Sequence, residues 1–583
     1  MRYFRMLTNA VLAGLLAAVY VAILFLQLNP HLPLDPIRLW PLLAVVVGFY
    51  ALHAAAAFYA LIVLRQLVSR ELLSPGWLSL RLLSWLSTAA AGGAATLMWL
   101  NLFGLRTALA EETARRLALG AAAMSLCALA LFAIAVIHYS FGRRGSVVGA
   151  SLCALAVIAS VTLPLAARGL SYPRPLGSYP LDVGSWMVPN TATSRVRLIS
   201  LDGASLDYIS LATSEGRLPN LGRVLDGGAA MHLATLRPTQ PGPVWTAVAT
   251  GKYPPKHGVI SASTYQVGTA LPAVELLPDH CFAQALVFLG FLREAPGSSA
   301  SLRARPLWSI LSGQGVPVGI VGWPMTHPVQ PVLGFLVSDR FHLMAYPTVD
   351  PDARDAAFPA EVVSVGAWAM EQTETPRRAS AFLSDEAVVT PPALAPIWRD
   401  QVYGDLAGAL HARFADVRLL AVRYRGLDVA GHNFLSPGAT DPFSVRADGE
   451  TDEAERLDQF YRHVDTEVGA ALDELGADDL LLIVSGFGME PVGPVKQVLA
   501  RLVGDPAQAG THENAPDGFM LAYGTRVEAG RRIRGSVVDV APTILYYLGV
   551  PVARDVDGLA RTDIFTAEFT EERPIAFVPS YER

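Results

Sequence analysis

Residues 196–205 read VRLISLDGAS, and their pattern indicates the fold of the larger part of the chain. A run of β-branched and leucine-rich residues, 196–201, stops abruptly at Asp202-Gly203. A continuous apolar run of this length is typical of a strand buried on both faces in a parallel sheet. Open α/β sheets place their chemistry at the carboxyl ends of such strands, which makes Asp202 a candidate functional residue.

Similar apolar runs recur further along the chain, at 316–322, 417–424 and 480–485. Helical patterns separate them. The clearest helix has an acidic amino end and apolar residues at three- and four-residue steps, namely Leu457, Tyr461, Val464, Val468, Leu472 and Leu475. Strands that alternate with helices predict an α/β domain over residues 195–583, with a parallel sheet covered by helices on both faces.

The part that precedes this domain, residues 1–168, consists of long apolar stretches with short polar breaks. Each stretch has about the 20 residues that a helix needs to cross a bilayer. The sequence therefore predicts a membrane anchor of five α-helical spans, at 10–28, 40–63, 78–103, 117–139 and 147–167. No ionisable residue falls in the middle of a span, which disfavours a transporter.

Charge differs sharply between the two parts of the chain. Residues 1–168 hold 12 Arg, no Lys and 4 acidic residues, whereas the remainder holds 33 basic and 47 acidic residues. The acidic remainder argues against a nucleic-acid partner.

The 3 Cys are far apart, which excludes a disulfide framework and a cysteine zinc site. Membrane lipids are the expected partner of the anchor, and nothing in the sequence indicates an oligomeric state.

Residues 169–194, with Pro173, Pro175, Pro180 and Pro189, lack apolar periodicity and predict an extended tether. Five spans would place the ends of the anchor on opposite sides of the membrane. Arginine is slightly more frequent on the side of the amino terminus, which favours a cytoplasmic amino end. We therefore expect an integral protein of the plasma or inner membrane whose domain from Arg195 onward is extracytoplasmic.

Four stretches together resemble the type I phosphodiesterase and nucleotide pyrophosphatase branch of the alkaline phosphatase superfamily. They are VRLISLDGAS from Val196, PVWTAVATGKYPPKHGVIS from Pro243, VGIVGWPMTHPVQPVLGFLVSD from Val318 and SVVDVAPTILYYLGVPVARDVDG from Ser536. The resemblance implies an alkaline-phosphatase-like fold and hydrolysis of a phosphate ester by a Ser or Thr nucleophile with two cations, often zinc. Two such cations hold the attacking and leaving oxygens of an in-line displacement.

The resemblance also implies ligands for these cations. Asp428 and His432 in LDVAGHNF, with the distant His512 in GTHENAPDG, match the ligands of one metal. Three protein ligands are what a catalytic zinc site provides. Asp202 matches a ligand of the other metal. The plain alternatives are histidines on surface loops and aspartates that hydrogen-bond their own turns.

The chain departs from the family pattern at the second metal. The family has an Asp-His pair in an SDHG turn after a later strand, whereas this chain reads Ser485-Gly486-Phe487-Gly488. Glu490 and Asp517 are two acids that the fold can bring near the vacated metal position, and the alternative for both is a solvated loop carboxylate. The sequence therefore predicts a single divalent ion, with zinc as the expected metal.

The position of the nucleophile also differs from the family pattern. The expected Ser or Thr falls on Pro241, which has no hydroxyl. Thr239 and Thr246 lie on either side of it in the wrong register. Thr239 is the candidate substitute nucleophile, and its alternative role is that of a turn hydroxyl.

An insertion at residues 262–304 contains CFAQALVFLGFL from Cys281. Its apolar run is too short to span a bilayer. Three interpretations remain open, namely a lid over the site, a helix on the membrane surface beside the anchor, and a buried helix of the α/β domain.

Two functions from different classes follow. The first is a membrane-anchored, metal-dependent phosphodiesterase or phosphatase that acts on a phosphate ester or lipid head group. The second is a degenerate relative that binds a ligand or partner without turnover, because loss of a nucleophile removes much of the catalytic rate. Transfer of head groups between lipids is a third possibility that rests on architecture alone.

Overall fold

The computed structural model describes residues 1–69, 75–140, 147–170, 194–267, 273–345, 353–372, 391–435, 450–493, 497, 509–512 and 516–582. The chain forms two compact units. The first comprises Met1–Pro175 together with Ser263–Pro296, and the second comprises Leu176–Ala262 together with Gly297–Arg583. Most of the predicted tether, residues 171–193, lies outside the described residues.

The first unit contains five long helices, α1 (Arg2–Leu28), α2 (Pro36–Ser69), α3 (Leu80–Gly104), α4 (Glu111–Ile134) and α5 (Val147–Arg168). Four of them are long and apolar enough to cross a membrane, one fewer than the five predicted spans. The difference is α3, whose length of 25 residues is sufficient but whose interior carries Ser, Thr, Gly and Asn residues. These lower its mean hydropathy without interrupting the helix.

Close packing joins the helices of this unit. A Cβ atom built on Gly14 of α1 would lie 2.6 Å from the backbone of Ala55 in α2, so only glycine allows this approach. At the other end of α1, Arg168 of α5 is almost fully buried. Its guanidinium donates hydrogen bonds to the carbonyls of Leu26 and Leu32, at 2.7 and 2.6 Å. The end of α5 is thereby fixed to the end of α1.

Part of the insertion also belongs to the first unit. Residues 263–296 contain two antiparallel strands, Ser263–Gln266 and Arg293–Pro296, and a helix, Gln284–Phe288. The buried side chains of this segment pack in one apolar cluster with residues of α1 and α2. The anchor helices therefore cover one side of its apolar run, the side that carries Cys281, Leu286 and Leu292.

The second unit is built on a sheet of nine strands among the described residues. They are β1 (Val196–Leu201), β2 (Ala229–Ala234), β3 (Val318–Trp323), β4 (Gly334–Ser338), β5 (Ala357–Phe358), β6 (Leu419–Tyr424), β7 (Leu480–Phe487), β8 (Asp517–Tyr523) and β9 (Arg532–Ser536). The strand order is β9-β2-β8-β7-β1-β6-β3-β4-β5. The central strands β7, β1, β6 and β3 are parallel, whereas β8 and β5 run antiparallel to their neighbours.

The helices of this unit are α6 (Leu206–Ser214), α7 (Pro219–Gly227), α8 (Pro241–Thr250), α9 (Pro254–His257), α10 (Leu307–Gly313), α11 (Val362–Gln372), α12 (Pro391–Arg413), α13 (Gly426–Phe434), α14 (Glu450–Asp473), α15 (Val540–Tyr547) and α16 (Ala567–Glu572). Alternate residues of β1 enter two different cores, with Leu198 in one and Ile199 in the other. Because successive side chains of a strand point to opposite faces, both faces of the sheet are covered. The α/β fold predicted from the sequence is confirmed.

The topology brings several chain segments to one edge of the sheet. Because β7, β1 and β6 are parallel neighbours, their carboxyl ends meet there. Asp202 follows β1, and α13 begins just after β6. The built Cβ of Gly203 would lie 3.1 Å from the Cα of Asp428, which shows how closely these two segments approach.

Candidate metal centre

Helix α13 places Asp428 and His432 side by side. Residues four apart lie on the same face of a helix, one turn above the other. The start of α13 is held by Asp400 of α12, whose carboxylate accepts hydrogen bonds from the backbone N–H groups of Arg425 and Gly426 at 3.0 and 2.5 Å. Burial raises the pKa of the Asp400 carboxyl, and these donors act against that shift. The helix that carries both side chains is thus fixed at its first turn.

His512 reaches the same place from a distant part of the chain. It follows the short strand Gly510–Thr511, which pairs with Glu490–Pro491. The Nδ1–H group of His512 donates to the carbonyl of Thr239 at 3.0 Å. Likewise, the Nδ1–H group of His432 donates to the carbonyl of Gly510 at 2.8 Å. Both imidazoles are therefore held in the tautomer that leaves the Nε2 lone pair available, the arrangement that orients histidine ligands.

The two Nε2 atoms face one oxygen of Asp428. They lie 3.6 and 3.9 Å from Asp428 Oδ1, for His432 and His512 respectively. This oxygen is buried and has no hydrogen-bond partner among the described residues. One ligand atom from each side chain lies within 4.8 Å of the others, and the three form the one such group that the described part of the chain contains. A buried polar atom without a partner is costly, and a cation would remove that cost.

The residues present fit one divalent ion. Two neutral imidazoles and a carboxylate are the nitrogen and oxygen ligands that zinc accepts, and three protein ligands leave a position open. The side chains of His432 and His512 are partly exposed, at 24% and 18%, while that of Asp428 is buried. The open side of the group therefore faces solvent, where a ligand can approach.

Asp202 does not belong to this group of ligands. Its carboxylate is instead hydrogen-bonded to another side chain of the protein. Its two oxygens accept hydrogen bonds from Arg423, with Nε at 2.9 Å from Oδ1 and Nη2 bound to Oδ2. Neither side chain is accessible beyond 7%. Burial lowers the pKa of the Arg423 guanidinium, and Asp202, together with the charges of Asp339 and Asp428, more than offsets this effect, so the net shift of this pKa is upward. The role of Asp202 as a metal ligand stays a prediction, and it would require that Arg423 move away.

Arg423 is a buried charged residue beside the candidate site that the sequence motifs did not single out. It lies in β6, whose other side chains are apolar or aromatic, and it pairs in register with Ser200 of β1. Its Nη1 group also donates to the carbonyl of Gly322 at 3.3 Å. A lone charge in a buried strand requires a partner of opposite charge, so the sequence LLAVRY did contain a signal.

The region of the missing Asp-His pair is filled by the protein itself. Ser485 donates a hydrogen bond to the carbonyl of Phe487 at 2.8 Å, and both residues are buried. A Cβ atom built on Gly486 would lie 2.5 Å from the side chain of Val244. Glu490 and Asp517 do not join the group of ligands. Asp517 accepts instead from the backbone N–H of Thr235 at 3.3 Å.

The predicted nucleophile region starts helix α8. Pro241 is its first residue, where a missing N–H group has no cost. The hydroxyl of Thr239 is buried and donates to the carbonyl of Leu236 at 2.8 Å, as a turn residue would. Thr246 donates to the carbonyl of Gly242 inside the helix, at 2.7 Å. Thr239 is nevertheless adjacent to the centre, because its own carbonyl binds His512.

Comparison with known families agrees with this architecture. The family model described as type I phosphodiesterase / nucleotide pyrophosphatase matches residues 196–526, more than half of the chain. The matched segment contains Asp202, Thr239, Asp428, His432 and His512. No curated protein matches the chain.

Proposed function

The chain belongs to the type I phosphodiesterase / nucleotide pyrophosphatase family, and on that premise we propose that it binds a phosphate ester through one divalent cation held by Asp428, His432 and His512. The ester is that of a lipid head group or of a soluble molecule. The apolar helices of the first unit anchor this activity to a membrane. Hydrolysis by the two-cation route is weak or absent in this proposal.

The observation that carries the proposal is the buried Asp428 Oδ1 atom, which lacks a hydrogen-bond partner among the described residues and faces two imidazole nitrogens. The Nδ1–H bonds of both histidines to backbone carbonyls fix the direction of these nitrogens. A divalent ion held by these three side chains would supply Lewis-acid polarisation of a phosphoryl oxygen. Arg425, whose Nε lies 3.6 Å from Asp428 Oδ2 and which is half-exposed, adds positive charge for an anionic ligand.

Slow phosphodiester hydrolysis with Thr239 as the attacking group is the second candidate. The contact between His512 and the carbonyl of Thr239 favours it, because it places this residue beside the cation ligands. The Thr239 hydroxyl would first have to leave the carbonyl of Leu236. Attack on phosphorus also requires that a base remove the proton of this hydroxyl, and a backbone carbonyl cannot act as that base.

Replacement of His512 by Ala should remove the bound ion. The purified full chain, dialysed against zinc, is expected to hold one ion, and His512→Ala should weaken zinc affinity by more than about 100-fold, since loss even of an outer partner costs roughly 10–100-fold. Metal analysis and competition with a chromogenic chelator measure both quantities. His232→Ala is the matched control, because His232 is an exposed histidine of the same unit.

Two results would contradict this assignment. Unchanged zinc content in His512→Ala would mean that the ion binds elsewhere. Two ions per wild-type chain would mean that other side chains complete a second site, with Glu490 and Asp517 the first to test.

The second unit is expected on the extracytoplasmic side, which requires that α3 cross the membrane together with the four more apolar helices, so that the number of spans is odd. A membrane-impermeant thiol reagent should label Glu528→Cys, an exposed position of that unit, in intact cells. The same reagent should label Arg2→Cys, near the amino end, only after permeabilisation. The parent chain, whose three cysteines are buried, gives the background. The reverse pattern would overturn the orientation derived from the arginine distribution.

A further inference from the structure

Residues 281–292, which we call the insertion loop, leave four large apolar side chains uncovered. Phe282, Phe288, Leu289 and Phe291 are exposed to 76%, 66%, 54% and 49%. Exposing this many apolar side chains to water on one short segment is unfavourable. Exposed apolar patches of this kind mark interaction surfaces. The contacts that the insertion loop and the residues before it make with the anchor helices indicate what covers these four side chains.

The side chains at the ends of the anchor helices hold this part of the chain by its backbone. Asn29 accepts hydrogen bonds from the N–H groups of Glu275 and Leu276, at 2.8 and 3.0 Å, and donates to the carbonyl of Leu276 at 2.8 Å. Asn101 of α3 makes a reciprocal pair with the backbone of Asp279, at 2.7 and 3.1 Å. Polar side chains at these helix ends therefore fix the segment just before the insertion loop.

The insertion loop also extends along the side of α2. The hydroxyl of Tyr50 donates to the carbonyl of Cys281 at 3.0 Å. The ring of Phe49 lies 6.5 Å from that of Phe291. On the inner side of the loop, Leu286 and Leu292 are buried in the cluster that contains Leu39 and Leu42 of α2. One side of the loop thus covers the first part of α2, and the other side carries the exposed phenylalanines.

Lengths along α2 indicate the depth of this contact. The helix has 34 residues and is roughly 50 Å long, whereas the hydrocarbon core of a bilayer is about 30 Å thick. Phe49 lies roughly 20 Å from Pro36 and about 30 Å from Ser69. The ring of Tyr50 lies 6.5 Å from that of Phe25, close to the end of α1 at Leu28. Phe49 and the insertion loop therefore lie level with the end of α1, at the boundary between acyl chains and head groups, and the span of α2 begins nearer residue 49 than the residue 40 predicted from the sequence.

We propose that the insertion loop is a membrane-interface element, whose Phe282, Phe288, Leu289 and Phe291 side chains insert into the lipid at the head-group boundary. Continuity with the lipid-facing surface of the anchor helices argues for lipid as the occupant. Aromatic and leucine side chains are those that favour this depth. The insertion loop thereby adds a membrane contact to those of the spanning helices. It belongs to the segment of the chain that the family model matches.

Fluorescence of a label at Phe288 tests this proposal. The full chain with Phe288→Cys, labelled with an environment-sensitive fluorophore, is reconstituted at one chain per phosphatidylcholine nanodisc. We expect blue-shifted emission and quenching by a lipid-borne nitroxide near the head group at least about threefold stronger than at Glu294→Cys. Glu294 is the matched control, an exposed acidic residue of the same insertion. The unlabelled background comes from the parent chain, whose cysteines are buried.

Two outcomes would overturn it. Water-like emission at position 288, with iodide quenching equal to that at position 294, would show that the loop stays in solvent. A blue shift that appears only in discs with two chains would show that a second copy, not lipid, covers the phenylalanines. Labelling at exposed positions leaves the core intact, so a loss of folding does not confuse either result.

Discussion

Asp202→Ala is expected to destabilise the second unit by about 3–5 kcal/mol, because it removes the carboxylate that hydrogen-bonds the buried Arg423 guanidinium and leaves only the more distant charges of Asp339 and Asp428, among the described residues, to compensate it. Both carboxylate oxygens of Asp202 are bound by Arg423, and the pair is almost inaccessible to water. Thermal and denaturant unfolding of the purified chain, followed by tryptophan fluorescence, measure the loss. Most of the tryptophans lie in the second unit, so this probe reports on it.

A paired replacement separates this ion pair from a metal ligand. Replacing both partners with apolar residues of similar volume, Asp202→Leu with Arg423→Met, should restore part of the stability, because a buried ion pair and an apolar pair of the same size are often equivalent. The recovery stays incomplete because the Asp339 carboxylate then keeps only Arg340 and Arg399, within the described part of the chain, as neighbouring positive charges. Zinc content should remain at one ion in the double variant. If the double variant instead loses the ion while its fold persists, Asp202 is a metal ligand and Arg423 is its competitor.

The frame of the second unit is predictable from sequence because its central strands are apolar on both faces. The apolar run 196–201 has the bounds that the structure gives to β1, and the helical periodicity around Leu457 and Val468 corresponds to α14. Both sequence patterns arise because the side chains of one strand or one helix face are buried, and they do not depend on which distant segment covers them. The antiparallel strand β8 is not predictable in this way, because its pairing with β7 and β2 joins segments far apart in sequence.

The candidate site is predictable in part for a similar reason. The spacing of Asp428 and His432 on one helix is local, whereas His512 is indicated only by the family resemblance. The partner of Asp202 is not predictable from its own neighbourhood, since Arg423 lies 221 residues away on an adjacent strand. The insertion loop has the same difficulty, because a short apolar run looks alike whether it packs in a soluble core or on membrane helices.

Catalytic repair is expected to require all missing parts together. The wild-type chain should show weak or no turnover of a chromogenic bis-aryl phosphate with zinc or manganese. Pro241→Thr would supply a hydroxyl at the first position of α8, where the helix dipole favours a developing anion. An Asp-His insertion after Ser485 would supply ligands of a second cation, and Arg423→Met would release Asp202 to join them. Any one change should alter the rate by less than about tenfold, whereas groups that act as a unit are worth on the order of a million-fold.

The physical reason is that attack on phosphorus needs an oxygen nucleophile activated by a cation, and each of the three repairs alone supplies only one part of that requirement. Packing also indicates which of these replacements the fold accommodates more easily. Pro241→Thr adds no bulk to a helix start, but new side chains after Ser485 must displace a loop in which Gly486 already lies close to Val244. Each variant is therefore assayed together with its zinc content and its unfolding midpoint, so that a misfolded protein is not scored as an inactive one. Strong wild-type turnover that His432→Ala abolishes would contradict the degenerate interpretation, and Thr239→Val would then decide whether the Thr239 hydroxyl, freed from the carbonyl of Leu236, is the attacking group.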